Sequence, residues 1–199
     1  FLVRHEALIA LRFALQKGSG GDDVMDALID AAGAADRQLA RTAMDTLRML
    51  DIPDKHVAKL AKLAAHDDLA RAAAVIEKLG QQGGAKPSRA LLDVITAGGP
   101  RSAELAAEAL AGNKEAVPGL AKALVDVTDG HRAGLLAKVL RPLAAEIKPA
   151  AKRALIDAAI AKLERGDPGW EPSLQVARDL DGDAVADGLR ALAAKLRKA

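Results

Sequence analysis

Along residues 36–66, DRQLARTAMDTLRMLDIPDKHVAKLAKLAAH, apolar and charged positions recur with the period of an α-helix. Leu39, Ala43, Leu47 and Leu50 fall three or four residues apart, with Ala40 and Met44 beside them, so they line one helix face. Arg37, Arg41, Asp45 and Arg48 lie off that face, where water solvates them. Pro53 disfavours helical geometry at Ile52 and has no N–H to donate. The helix is therefore predicted to stop near Asp51, and a second to open with Pro53 in its first turn. Val57, Leu60, Ala61 and Ala64 stripe this second helix. A connection of only two or three residues folds such helices antiparallel. One hairpin buries too little surface to offset roughly 1–2 kcal/mol of backbone entropy per residue, so it needs similar neighbours to stack on.

The rest of the chain supplies them. Helix pairs are predicted near 1–35, 36–66, 67–99, 100–127, 128–166 and 167–199. In the first, Leu2, Ala7, Leu8, Leu11 and Leu15 form a stripe, Gly18-Ser19-Gly20-Gly21 ends the helix, and Val24, Leu28, Ala31 and Ala32 point inward from the next. The third pair runs to Gly80, crosses a polar linker at 81–85, resumes at Pro87 and Ser88 with Leu91, Leu92 and Ile95 inward, and stops at Gly98-Gly99. The fourth opens at Pro100 with Leu105, Ala109 and Leu110 as its stripe, turns at Gly112-Asn113, and continues over 114–127 with Pro118 in the first turn. In the fifth, Pro142 interrupts the pattern of Leu135, Leu136, Val139 and Leu140 and kinks or divides that helix; Pro149 opens the next, which ends at Gly166. The sixth has a Pro-rich entrance holding Trp170 in a loop, continues through Leu174, Val176 and Leu180, turns at Asp181-Gly182, and finishes with a helix from Asp183. Intervals of roughly 30–40 residues are those of helical-pair repeats. The expected fold is all-α: one α-solenoid, or superhelix, of about six antiparallel helix pairs. The chain enters a helix at Phe1, so it reads as part of a larger protein.

Composition agrees with helices that approach closely. Apolar residues make up 50% of the chain, many of them Ala, while aromatics are 2%, which is Phe1, Phe13 and Trp170. No window alternates strictly or concentrates β-branched residues as a strand would. The 29 basic and 27 acidic residues nearly cancel and do not point to nucleic acid. Without cysteine, the chain cannot hold disulfides, thiolate metal sites, thioether-linked haem or a cysteine nucleophile. No run of 18 uncharged apolar residues reads as a transmembrane helix.

The segment VRHEALIALRFAL resembles the first helix of a HEAT repeat at Val3, Arg4, Ala7 and Leu11. LARTAMDTL at 39–47 and DDLARAAAVIEKLG at 67–80 are similar but weaker copies. Later pairs depart from the pattern, above all at Pro142 and before Leu174, so an irregular or TPR-like array is the alternative. The resemblance implies a right-handed HEAT/ARM-like segment of a larger, bacterial-type protein. Such a segment would serve as a non-catalytic scaffold or protein-interaction module, its second helices lining a concave face. Membrane-coat-like structural solenoids are one alternative, and a HEAT-like lyase or DNA glycosylase is another.

On that implied concave face, Lys55, Lys59, Lys62 and His66 form a stripe that would meet acidic lipid, phosphate or an acidic protein. The preceding second helix carries Asp22, Asp26 and Asp30, which would bind a basic partner or a cation. The plainer reading is that they complement the helix dipole and face water. With Arg89 and Asp93 on the next such helix, the face is expected to be mixed in sign. HEAT-like DNA glycosylases need a basic, aromatic surface with a catalytic carboxylate, which Trp170 alone does not supply. His5, His56, His66 and His131 lack zinc-site spacing, and His5-Glu6 lacks the second His of a zinc-protease motif. Asp181-Gly182 lies in DLDGD, which lacks calcium-loop spacing and reads as a turn, as does Asp129-Gly130. Gly18–Gly21 lacks the Lys-Ser/Thr of a phosphate loop, and there is no Gly-x-Ser-x-Gly. The expectation is no catalysis, cofactor or metal. Protein partners are expected, with no nucleic acid; peripheral membrane association stays open.

Overall fold

A computed structural model describes residues 2–16 and 21–198, and within the first helix the side chains of residues 6, 7 and 9–14. The expectations placed on Phe1, on the side chains of Leu2, His5, Leu8 and Leu15, and on the stop at residues 18–20 lie outside the described residues. Among these the fold is all-α, with twelve α-helices and no strand. They are α1 (Leu2–Gln16), α2 (Asp22–Ala32), α3 (Arg37–Arg48), α4 (Asp54–Ala61), α5 (Leu69–Gln82), α6 (Ala85–Ala97), α7 (Pro100–Ala109), α8 (Val117–Asp126), α9 (Gly130–Leu140), α10 (Pro149–Arg165), α11 (Trp170–Leu180) and α12 (Gly182–Leu196). Contacts divide the chain into two compact units, Phe1–Leu91 and Leu92–Ala199, with the boundary inside α6.

In the first unit α3 packs on α1, α2 and α5, and α4 packs on α2 and α5. The core is apolar and aliphatic: Leu28 and Ile29 of α2, Leu47 of α3, Leu60 of α4, and Val75, Ile76 and Leu79 of α5 are buried. The stripe residues Ala43, Leu47, Leu50, Val57 and Leu60 are all in that core, while Arg37, Arg41, Asp45 and Arg48 are exposed. Asp36 and Asp68 start α3 and α5 as N-caps, each Oδ1 accepting two backbone N–H bonds at 3.0–3.3 Å.

Several boundaries differ from the expected ones. Helix α3 ends at Arg48, not near Asp51, and five residues rather than two or three connect it to α4. Leu50 and Ile52 are buried in that connection, which holds it against the core without helical geometry. Pro53 is the N-cap of α4 instead of a first-turn residue. Gly80 does not stop α5, which runs two residues further. The Gln82 carboxamide accepts from Ile52 N–H at 3.1 Å and donates to Ile52 C=O at 2.5 Å. Those two bonds anchor the last turn of α5 to the α3–α4 connection and outweigh the weak helix preference of Gly80. On α2 the buried face is Met25, Leu28, Ile29 and Ala32, while Val24 and Ala31 are half-buried.

In the second unit α7 packs on α9 and α9 on α11, while α8 packs on α10 and α10 on α12. Helices α8 and α9, and α10 and α11, also pack as neighbours. Pro142 divides its helix: α9 ends at Leu140 and a 3-10 segment, Arg141–Glu146, follows. The buried face of α7 is Ser102, Ala103, Ala106 and Ala107, continued by Leu110; Leu105 and Ala109 are half-buried. Trp170 is not in a loop but is the first residue of α11, with Pro172 in the same turn. Asp181 ends α11 and caps α12, its Oδ1 accepting from Ala184 N–H at 2.9 Å, so α12 starts at Gly182.

Glycine permits close approaches here. A Cβ on Gly119 of α8 would stand 2.5 Å from Leu92 Cδ1, and one on Gly188 of α12 would strike Ile160 of α10. At Gly130, the first residue of α9, a Cβ would lie 2.8 Å from the backbone oxygen of Pro168, which cannot swing aside as a side chain can. Gly130→Ala is therefore expected to destabilise the chain by about 1–3 kcal/mol, as overpacked sites do. Equilibrium urea unfolding measures this; a stability equal to the wild type would show that the α10–α11 connection yields freely.

Candidate functional site

The two charged stripes expected to act separately face each other. Asp22, Asp26 and Asp30 recur every fourth residue along α2, and Lys55, His56 and Lys59 lie along α4 beside it. Lys55 Nζ pairs with Asp22. Lys59 Nζ lies 2.8 Å from Asp30 Oδ1 and 3.4 Å from Asp26 Oδ1, and donates to the Asp26 carbonyl at 3.1 Å. His56 sits at the middle of this seam, buried, with Nδ1 3.0 Å from Asp26 Oδ1 and Nε2 3.5 Å from Asp22 Oδ1. Lys62 is exposed and unpaired among the described residues, in a 3-10 turn, Lys62–Ala65, that extends α4. His66 belongs elsewhere: its Nδ1 accepts from Asp68 N–H at 3.0 Å, and its Nε2 lies 2.9 Å from Arg71 Nη1.

The seam perturbs its own titration. The Lys55 hydrogen bond, reinforced by His56, holds the Asp22 carboxyl below the ordinary aspartate range. The His56 hydrogen bond, with Lys59, does the same for Asp26. Hydrogen bonds to Asp30 and Asp26 raise the Lys59 ammonium above its ordinary value. A carboxylate depressed in the folded state stabilises the fold above its unfolded pKa, and that contribution fades as pH falls through the folded value. The stability gap between wild type and an Asp22→Asn/Asp26→Asn variant should accordingly be open at pH 7 and close below about pH 4. It should also narrow in 1 M salt, because the Asp22–Lys55 pair is exposed and the Asp26–Lys59 pair is only half-buried. Thermal unfolding across pH 7 to 2 tests both; a gap unchanged at pH 2 would rule out the seam as its source.

A second set of cations escaped notice in the sequence. Arg71, in the first turn of α5, donates to the carbonyl of Gly33, the residue capping α2, at 3.1 Å. Arg132, in the first turn of α9, donates through Nη1 to Thr96 C=O and through Nη2 to Gly98 C=O at 3.1 Å, at the end of α6. Lys162 of α10 is 1% exposed; its Nζ donates to Leu124 C=O in the last turn of α8 at 2.5 Å and to Ser173 Oγ at 3.3 Å. Each cation meets the carbonyls that a helix C-terminus leaves without intrahelical partners, at the negative end of the dipole. Asp68 caps α5 three residues before Arg71, and Asp129 caps α9 three residues before Arg132, whose N–H it accepts at 2.8 Å. The signal was this Asp-x-x-Arg spacing, repeated two helix pairs apart. Burial pushes the Lys162 ammonium below the ordinary lysine value, with Asp167 partly opposing the shift. Burial lowers Lys78 similarly.

Among the described residues no three His, Asp or Glu side chains are grouped to hold a metal ion, and no helix is long and apolar enough to cross a membrane. No family model matches the chain, and no curated protein or solved structure matches it significantly.

Proposed function

We propose that each unit is a HEAT-like stack of helix pairs and that the chain works as a non-catalytic, protein-binding scaffold. The reading is carried by one observation: polar links join like helices of successive pairs at a near-constant separation. Second helices are linked by Asp22 with Lys55, 33 residues apart, and by Glu164 with Lys195, 31 apart. First helices are linked by Arg48 with Glu77, 29 apart, and the Lys114–Glu146 pair, 32 apart, joins two 3-10 segments. A separation near one repeat length is what stacking of similar units produces, because each unit contacts chiefly its neighbours. A single centred core would instead bring distant parts of the chain together.

Two experiments test the reading. Residues 1–166, lacking the last pair, should keep their helicity and unfold cooperatively at a somewhat lower temperature; loss of all helicity would count against stacked units. Proteins that co-purify with the chain from its native cells should include at least one that binds the purified chain directly and saturably. If each of them fails to bind, the scaffold reading falls.

A further inference from the structure

One glycine has no packing reason to be where it is. Gly134 lies inside α9, where glycine costs about 1 kcal/mol relative to alanine. Leu92 and Ile160 press on Gly119 and Gly188, but a Cβ on Gly134 would meet nothing within 4 Å. The space above Gly134 is part of a groove of about 520 Å³ between α9 and α11, bordered by Pro142 and Pro172. That volume falls among ordinary ligand clefts, which run roughly 300–1,000 Å³. An interior glycine that weakens its helix without easing any packing is the kind of local inconsistency expected at a functional site.

The rim of this groove is rich in donors. Lys138, one turn beyond Gly134, is exposed and makes no ion pair among the described residues. Arg141, three residues further along the same face, binds Asp179 through Nε alone at 2.6 Å. Its two Nη groups make no hydrogen bond among the described residues, and Gln175 adds a side-chain amide. Asp179 is thus already engaged, and the remaining charge at this end is positive. The floor, made by Gly134 with Ala137 and the two prolines, is apolar.

We propose that the α9–α11 groove binds an acidic peptide segment of a protein partner, one carboxylate lying between Lys138 and Arg141 and a small apolar side chain lying over Gly134. The proposal rests on the scaffold reading and gives it a place and a partner chemistry. A lone anion would use the two cations but leave the apolar floor empty, whereas an extended peptide covers both, as acidic-motif recognition by cationic side chains does. Arg141 keeps its planar fork free on one side for a two-point contact with a carboxylate.

The test is selection from a random octapeptide phage library on the full chain, followed by NMR titration of a selected peptide. Enriched peptides should carry Asp or Glu beside a small apolar residue, and the amide shifts should centre on Gly134, Lys138 and Gln175. Gly134→Leu, whose Cβ meets nothing within 4 Å, should place its side chain in the groove, weakening the peptide at least about tenfold while the melting temperature holds or rises. Lys138→Glu should weaken it similarly. Peptides without acidic residues, shifts centred elsewhere, or unaltered binding by Gly134→Leu would each overturn the proposal. So would the same shifts from inorganic phosphate or phosphatidylserine vesicles at comparable affinity, which would mark an anion or lipid site. If Gly134→Leu leaves a co-purifying protein bound as before, the groove proposal fails while the scaffold reading stands; if neither peptide nor protein binds, both fail.

Discussion

Lys162→Ala should lower the unfolding free energy by about 3 kcal/mol, moving the melting temperature down by about 10 °C for a chain of this size. The substitution removes a side chain that is 1% exposed and leaves a cavity between α10, α8 and α11. It also strips the donor from the buried Leu124 carbonyl, a loss of about 1–3 kcal/mol by itself. Release of the buried charge offsets part of this, because desolvation works against the ammonium. Lys162→Met keeps the volume and the relief but not the hydrogen bond, so it should cost about 1 kcal/mol. Both variants also separate from the wild type in their pH dependence. An ammonium whose folded pKa lies below its unfolded value binds more protons in the unfolded chain between those two values, so stability rises with pH across that window. Wild type should therefore gain on Lys162→Met as pH is raised from 7 toward the ordinary lysine value near 10.4. Lys59, which shifts the opposite way, is present in both proteins and cancels. Urea unfolding at pH 7 and 9.5 measures the effect. A Lys162→Ala variant as stable as the wild type, or a gap that shrinks with pH, would mean the ammonium is not held inside.

Arg132→Ala should cost about 2 kcal/mol. It leaves the Thr96 and Gly98 carbonyls at the end of α6 without their shared donor. Arg132→Lys should recover less than half, since one ammonium on a flexible stem cannot span two carbonyls as the planar fork does. Hydrogen exchange at the Gly98 amide, bonded to Val94 C=O at 2.8 Å, should quicken in both variants, more in the alanine. Unchanged exchange at Gly98 would show that water replaces the guanidinium at no cost.

How far the sequence could be read follows from the range over which each cause acts. The helix-forming pattern around Leu47 and Leu60 is local, and both side chains are fully buried as read. The break at Pro142 is local too, since it follows from a missing N–H and a ring clash within one turn. Gly80 misled because the cause of helix continuation, the Gln82 bonds to Ile52, lies 30 residues away in the chain. Asp22 and Lys55 were legible as two stripes but not as one seam, because the register of α4 against α2 is fixed by packing and not by spacing within either helix. Lys162 gave no sign at all: in AIAKLERG it has the look of any solvated lysine, and only its partners on other helices, the Leu124 carbonyl and Ser173 Oγ, explain its burial. The α9–α11 groove was hidden for the same reason, since Gly134 and Pro172 come from different helices.

The doubled duty of Asp181 bears on where this polypeptide can be cut or lengthened. One residue closes α11 and opens α12, so no spare backbone exists there to absorb an inserted loop. Gly83 and Gly84, by contrast, stand between α5 and α6 with φ of 66° and 85°, and a Cβ on Gly83 would touch nothing. Grafted tags, fluorescent reporters or new chain termini belong at the glycine pair, while the aspartate joint should be left whole.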